Sequence, residues 1–121
     1  MNILLIDDNR EIRSTLTTFL QSAGHSVQSC PDGAAAWSLF EAGASRFELV
    51  ITDVQMPAMD GVELATRLRA SGSKTPIIFM AGGIEDELEQ PRADFGHYRV
   101  LQKPFMMNAF LDVVSEVSAQ S

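Results

Sequence analysis

One cysteine, Cys30, in 121 residues leaves no partner for an internal disulfide, so packing must hold the fold together, and a reducing compartment such as the cytoplasm is expected. Basic residues are also scarce: nine Lys and Arg stand against sixteen Asp and Glu, for a net charge of −7. They are scattered along the chain, whereas phosphate backbones are held by clustered cations, so no nucleic acid is expected as a direct ligand. No apolar run is long enough to cross a bilayer, so no membrane association is expected either. The opening Met1-Asn2-Ile3-Leu4-Leu5-Ile6 reaches acid at Asp7 without a basic leader and reads as a strand rather than a signal peptide. No glycine-rich phosphate loop follows that run, which counts against a nucleotide-binding module.

What is present is an ordinary globular composition, 45% hydrophobic and 21% charged, read as a single domain over residues 1–121. Five apolar runs alternate with five stretches of helical period, the pattern of an α/β fold with a parallel sheet covered by helices. Ile12, Leu16, Phe19, Leu20 and Ala23 recur at helical spacing after Asn9, and Met107, Phe110, Leu111, Val114 and Val117 do so near the end. Ala36, Trp37 and Phe40 mark a second helix. Gly61, Leu64, Ala65 and Leu68 mark a third, opened by Asp60 with Glu63 at capping-box spacing. A fourth, acidic helix is expected from about Ile84, interrupted at Pro91. Ile3 to Ile6, Leu49 to Ile51 and Ile77 to Met80 are continuously apolar, as strands covered on both faces must be. Ser26 to Cys30 and Tyr98 to Gln102 carry polar residues and read as edges. The order 2-1-3-4-5 satisfies this and the right-handed crossover rule.

That order brings the ends of strands one and three together, where open sheets place ligands. Asp7 and Asp8 follow the first strand, Asp53 ends the third, and Lys103 follows the fifth. Two carboxylates about 4 Å apart at an effective dielectric near 20 repel by roughly 4 kcal/mol. Three of them must protonate or bind a cation, and a hard divalent ion such as Mg2+ is the expected answer at neutral pH. Taken singly, each aspartate also has a plainer reading, as a helix cap or the start of a loop. His25 and His97 lack metal-ligand spacing and read as surface residues, and Cys30 reads as a packed thiol.

Ile6-Asp7-Asp8, the stretch Asp53-Val54-Gln55-Met56-Pro57-Ala58-Met59-Asp60-Gly61, and Lys103-Pro104-Phe105 together resemble the receiver domain of bacterial two-component response regulators, across essentially the whole chain. The resemblance implies a flavodoxin-like, doubly wound sheet and a signalling domain rather than an enzyme. It implies that Asp53 accepts a phosphoryl group from the phosphohistidine of a sensor histidine kinase or a histidine phosphotransfer protein. It further implies Mg2+ at Asp7, Asp8, Asp53 and the backbone carbonyl of Gln55, with Lys103 neutralising phosphoryl oxygen across a cis Lys103–Pro104 bond. A downstream protein target and a homodimer built on the fourth helix, fifth strand and last helix belong to the same set of expectations, with Pro91 set against the dimer's usual geometry. Pro57, Gly61, Met56 and Met59 read as structural.

Two positions depart from the family pattern. Where receivers carry Thr or Ser after the fourth strand, this chain has Ala81, and where they often carry Tyr or Phe before the lysine it has Val100. Backbone donors near Gly82 are the expected substitute for the missing hydroxyl. Tyr98, on the same strand face as Val100, reads more readily as an edge tyrosine than as a displaced switch. A binding module that no longer depends on phosphorylation is therefore the alternative. A haloacid-dehalogenase-like hydrolase fits less well, because Gln55 stands where that family places a second acid.

Overall fold

Side chains that alternate in direction with a period of two divide each continuously apolar central strand between two faces, and the architecture follows from that division. The structure, a computed structural model, describes residues 1–42, 47–56, 59–82, 96 and 98–120. Its elements in chain order are β1 (Asn2–Ile6), α1 (Arg10–Ser22), β2 (Ser26–Cys30), α2 (Gly33–Glu41), β3 (Leu49–Asp53), α3 (Gly61–Ala70), β4 (Ile77–Ala81), β5 (Tyr98–Gln102) and α4 (Met107–Gln120). All strand pairs are parallel, in the order β2-β1-β3-β4-β5. Strands β3 and β4 are buried throughout, while β2 and β5 are largely exposed edges.

Leu4, Ile6, Val50, Ile77 and Phe79 face one way and pack with Ala36 of α2 and Leu64, Ala65 and Leu68 of α3. Ile3, Leu5, Leu49, Ile51, Ile78 and Met80 face the other way and pack with Leu16 and Leu20 of α1 and Phe110, Val114 and Val117 of α4. The result is a three-layer sandwich with a core on each side of the sheet. Phe19 departs from the sequence reading: 41% of its surface is exposed, because the sheet claims the stripe through Leu16 and Leu20 and leaves residue 19 on its margin. Four helices lie among the described residues rather than five, and the segment expected to form the helix from Ile84 through Pro91 falls outside them.

Caps fix the helix starts. Asn9 Oδ1 accepts from Ile12 N at 3.0 Å, Asp32 Oδ1 from Ala35 N at 2.8 Å, and Asp60 Oδ1 from Glu63 N at 2.8 Å. Asn9 therefore caps α1, which removes the capping explanation for Asp7 and Asp8. The Glu63 carboxylate lies 3.9 Å from Arg67, an exposed pair one helical turn apart.

The start of α3 comes against the end of β3. Gly61 N donates to Val54 O at 2.8 Å, and a Cβ at Gly61 would lie 2.1 Å from the Asp53 carbonyl oxygen. Gly33 has a similar constraint, 2.5 Å from the Met59 carbonyl oxygen. Gly61→Ala must push α3 away from the strand end, and overpacking of this kind costs about 1–3 kcal/mol. Urea denaturation is expected to show a loss of about 2 kcal/mol relative to the unmutated protein; an unchanged midpoint would contradict the close approach.

Candidate phosphoacceptor site

Strand alternation and register assemble the site. Leu5 pairs with Ile51 and Ile6 with Thr52, so the next step along both strands sets Asp7 beside Asp53. Both continue the face that carries Leu5 and Ile51, and Lys103 continues it from Leu101 on β5. The end of β3 is pinned by backbone: Val54 N donates to Met80 O at 3.1 Å, and Thr52 Oγ1 donates to Asp53 O at 3.0 Å. Lys103 is pinned from β4, its N–H donating to Ala81 O at 2.7 Å, and the Lys103–Pro104 bond is cis as expected.

The Lys103 ammonium lies 2.5 Å from Asp53 Oδ1 and 3.5 Å from Asp7 Oδ2. Apart from this ion pairing, Asp7 Oδ2 and both carboxylate oxygens of Asp53 are buried with no hydrogen-bond partner among the described residues. Asp8 is exposed, yet one ligand atom from each of Asp7, Asp8 and Asp53 falls within 4.8 Å of the others. One ammonium among three carboxylates leaves acceptor oxygens over, and a hard cation with oxygen ligands matches that surplus. The donor set fits Mg2+.

Burial pushes the Asp53 carboxyl up to about 7; Lys103 pulls it down and Asp7 pushes it further up. Burial works against the charge on Lys103, but Asp53 and then Asp7 outweigh it and hold the ammonium above its ordinary range.

Of the residues anticipated from sequence, Asp7, Asp8, Asp53 and Lys103 come together. Gln55 is exposed two residues past Asp53. Gly82 is exposed and, with Lys103, lines a groove of about 600 Å³ between α1 and the start of α4. Ala81 is fully buried, its methyl group among the apolar residues on the α2 and α3 side, so no hydroxyl is offered where the family pattern has one. Val100 is 40% exposed. Tyr98 packs against the same α2 and α3 side, its ring edge-on to Phe79 at 5.7 Å, as an edge tyrosine anchored in the core. Cys30 and Met59 are buried and Met56 packs against them, which bears out their structural reading. Sequence reasoning did not single out Arg13, whose guanidinium donates to the Asp7 carbonyl oxygen at 2.7 Å. Its position one turn past the Asn9 cap was the available signal.

The family model for the response regulator receiver domain matches residues 3–115. The chain belongs to that family. This receiver domain is 32% identical over 111 residues to the response regulator MprA of Mycolicibacterium vanbaalenii, covering 92% of the chain and 47% of the relative. It is 33% identical over 121 residues to the regulatory protein VanRB of Enterococcus faecalis, covering 100% of the chain and 54% of that protein. The chain thus spans about half the length of these curated relatives. The structure of the chemotaxis response regulator CheY4 of Vibrio cholerae superposes with a TM-score of 0.82 at 31% identity, over 96% of the chain and 97% of the other. The flavodoxin-like fold and the place of the chain among the receiver domains of two-component response regulators are thereby established, as a signalling domain rather than a conventional enzyme. No helix among the described residues is long and apolar enough to cross a membrane.

The raised Asp53 value has a consequence for stability. The carboxyl ionises near 3.8 when unfolded and near 7 when folded, so between those values the folded state binds the extra proton. Its stabilising contribution is complete below the unfolded value and is lost as pH rises through about 7. In chelator, Asp53→Asn is expected to melt at a higher temperature than the unmutated protein at pH 8 and at nearly the same temperature at pH 4. Equal melting at pH 8 would contradict a carboxyl raised by burial and by Asp7.

Proposed function

We propose that the chain works as a single receiver unit in which Asp53 is the phosphorylated residue, with Mg2+ held by Asp7, Asp8, Asp53 and the Gln55 carbonyl. The observation that carries this reading is the buried Asp53 carboxylate, paired with Lys103 at 2.5 Å and, apart from that pair, without a hydrogen-bond partner among the described residues. A carboxylate so placed can present one oxygen to phosphorus while its negative charge is balanced from the side.

The reaction is displacement at phosphorus. An Asp53 Oδ forms a bond to the phosphorus of a phosphohistidine, the P–N bond breaks, and the electron pair returns to the imidazole nitrogen, which takes up a proton. An acyl phosphate on Asp53 results. Positioning and charge neutralisation account for most of the help a protein can give to such a transfer. When bound, Mg2+ supplies positive charge against the phosphoryl oxygens. Lys103 supplies a second positive charge, and the protein's own contribution is to hold that ammonium and the carboxylates at fixed spacing on the strand ends.

The partner implied is a sensor histidine kinase or a histidine phosphotransfer protein, with a downstream protein target whose contact answers to the state of Asp53. Ala81 supplies no hydroxyl to the phosphoryl group, so in this reading the backbone around exposed Gly82 takes that contact. A homodimer remains part of the proposal through β5 and α4, where Arg99 and Glu116 pair across the surface.

Incubation with acetyl phosphate and magnesium, followed by intact-mass measurement, tests the reading. The unmutated protein is expected to gain one phosphoryl group that chelator prevents, and Asp53→Asn to gain none. No gain in either would favour a binding module independent of phosphorylation, the alternative that Ala81 and Val100 motivate. Steady release of phosphate without an adduct would favour a hydrolase.

A further inference from the structure

Asp7 is fully buried, and nearly all of its polar atoms are already engaged. Its N–H donates to Cys30 O at 3.2 Å, its Oδ1 accepts from Asn9 N at 2.8 Å, and its carbonyl oxygen accepts from Arg13 Nη1 at 2.7 Å. Among the described residues Oδ2 has no hydrogen-bond partner, and it faces Lys103 at 3.5 Å. Of these three clamps, two are backbone groups fixed by β2 and by the turn into α1. The third is a side chain, and it grips the peptide that joins Asp7 to Asp8.

We infer that Arg13 is a positioning residue for the cation site: by holding the Asp7 carbonyl it sets the plane of the Asp7–Asp8 peptide and so aims two of the three carboxylates at one point. The inference rests on reading Asp7, Asp8 and Asp53 as a Mg2+ site. Arg13 is half-buried and rooted in the first turns of α1, where its own N–H donates to Asn9 O at 2.9 Å. Asn9 both caps that helix through its side chain and binds Asp7 Oδ1 through its N–H. Helix start, acidic turn and guanidinium therefore form one closed loop of contacts, and the carboxylates inherit the rigidity of α1. A guanidinium suits the task because its planar donors keep a fixed fork geometry. Its charge beside the acidic turn also offsets part of the repulsion that gathers there.

The test separates positioning from simple structural support. Arg13→Met keeps an apolar stem of similar reach and removes the donor, whereas Arg13→Lys keeps one charged donor. Magnesium is titrated calorimetrically into each chelated protein, and metal-free melting is measured in parallel. Outer groups that orient metal ligands are worth about 10- to 100-fold in affinity. Arg13→Met is expected to bind Mg2+ about tenfold more weakly with a small change in metal-free melting, and Arg13→Lys to fall between it and the unmutated protein. Unmutated affinity in a folded Arg13→Met protein overturns the inference, as does equal affinity in all three proteins. Should Arg13→Met not fold, Arg13→Lys decides: weaker binding at unchanged metal-free melting supports positioning, and full affinity refutes it. Failure of the unmutated protein to bind Mg2+ at all removes the site reading and this inference with it, a result distinct from the others.

Discussion

Repulsion between Asp7 and Asp53, two carboxylates buried side by side, is the constraint around which the rest of this domain is arranged. At an effective dielectric near 20 a contact of about 4 Å costs roughly 4 kcal/mol, a large share of the stability of a domain this size. Lys103 answers part of it, and its reach is set by β5 lying next to β4 in the sheet. Burial raises the Asp53 carboxyl and Asp7 adds to the rise, and the buried acceptor oxygens find no hydrogen-bond partner among the described residues. A fold tolerates such a site only where the surrounding frame is over-determined. Here the frame is two apolar cores, one on each side of a sheet whose central strands are buried on both faces.

The same parity that builds the cores delivers the charges. Leu5 and Ile51 point toward α1 and α4, and two residues later so do Asp7 and Asp53. A one-residue slip of β3 against β1 would turn Asp53 to the other face and dissolve the cluster. Gly61 holds the end of β3 from behind, since no side chain fits between α3 and the Asp53 carbonyl. The geometry of the charged cluster and the packing are thus specified by the same few residues.

Much of this was legible in the sequence because it depends on local pattern. Continuous apolar runs identified the central strands, polar interruptions identified the edges, and acidic residues at strand ends marked the cluster that the fold brings together. Asp60 was readable as a cap since its chemistry is local. The exposure of Phe19 was not, because helical spacing gives a stripe but not its width, which the sheet decides. Nor was the direction of Ala81: the sequence shows a missing hydroxyl, while only the packing shows its methyl turned into the core on the α2 and α3 side. Arg13 was missed for a similar reason. A side chain bound to a backbone carbonyl leaves no residue pattern beyond its distance from the cap. The close approach at Gly33 to Met59 is also tertiary and leaves no local trace.

The central claim is that the strand ends hold a charge conflict which a divalent cation relieves. Calorimetric titration of magnesium into the chelated protein at pH 8 and again at pH 5.5 measures that conflict directly. The account predicts one ion bound per chain, with affinity clearly lower at pH 5.5, where Asp53 with its value of about 7 carries a proton that the metal must displace. Binding of equal strength at both pH values, or none at pH 8, would contradict it.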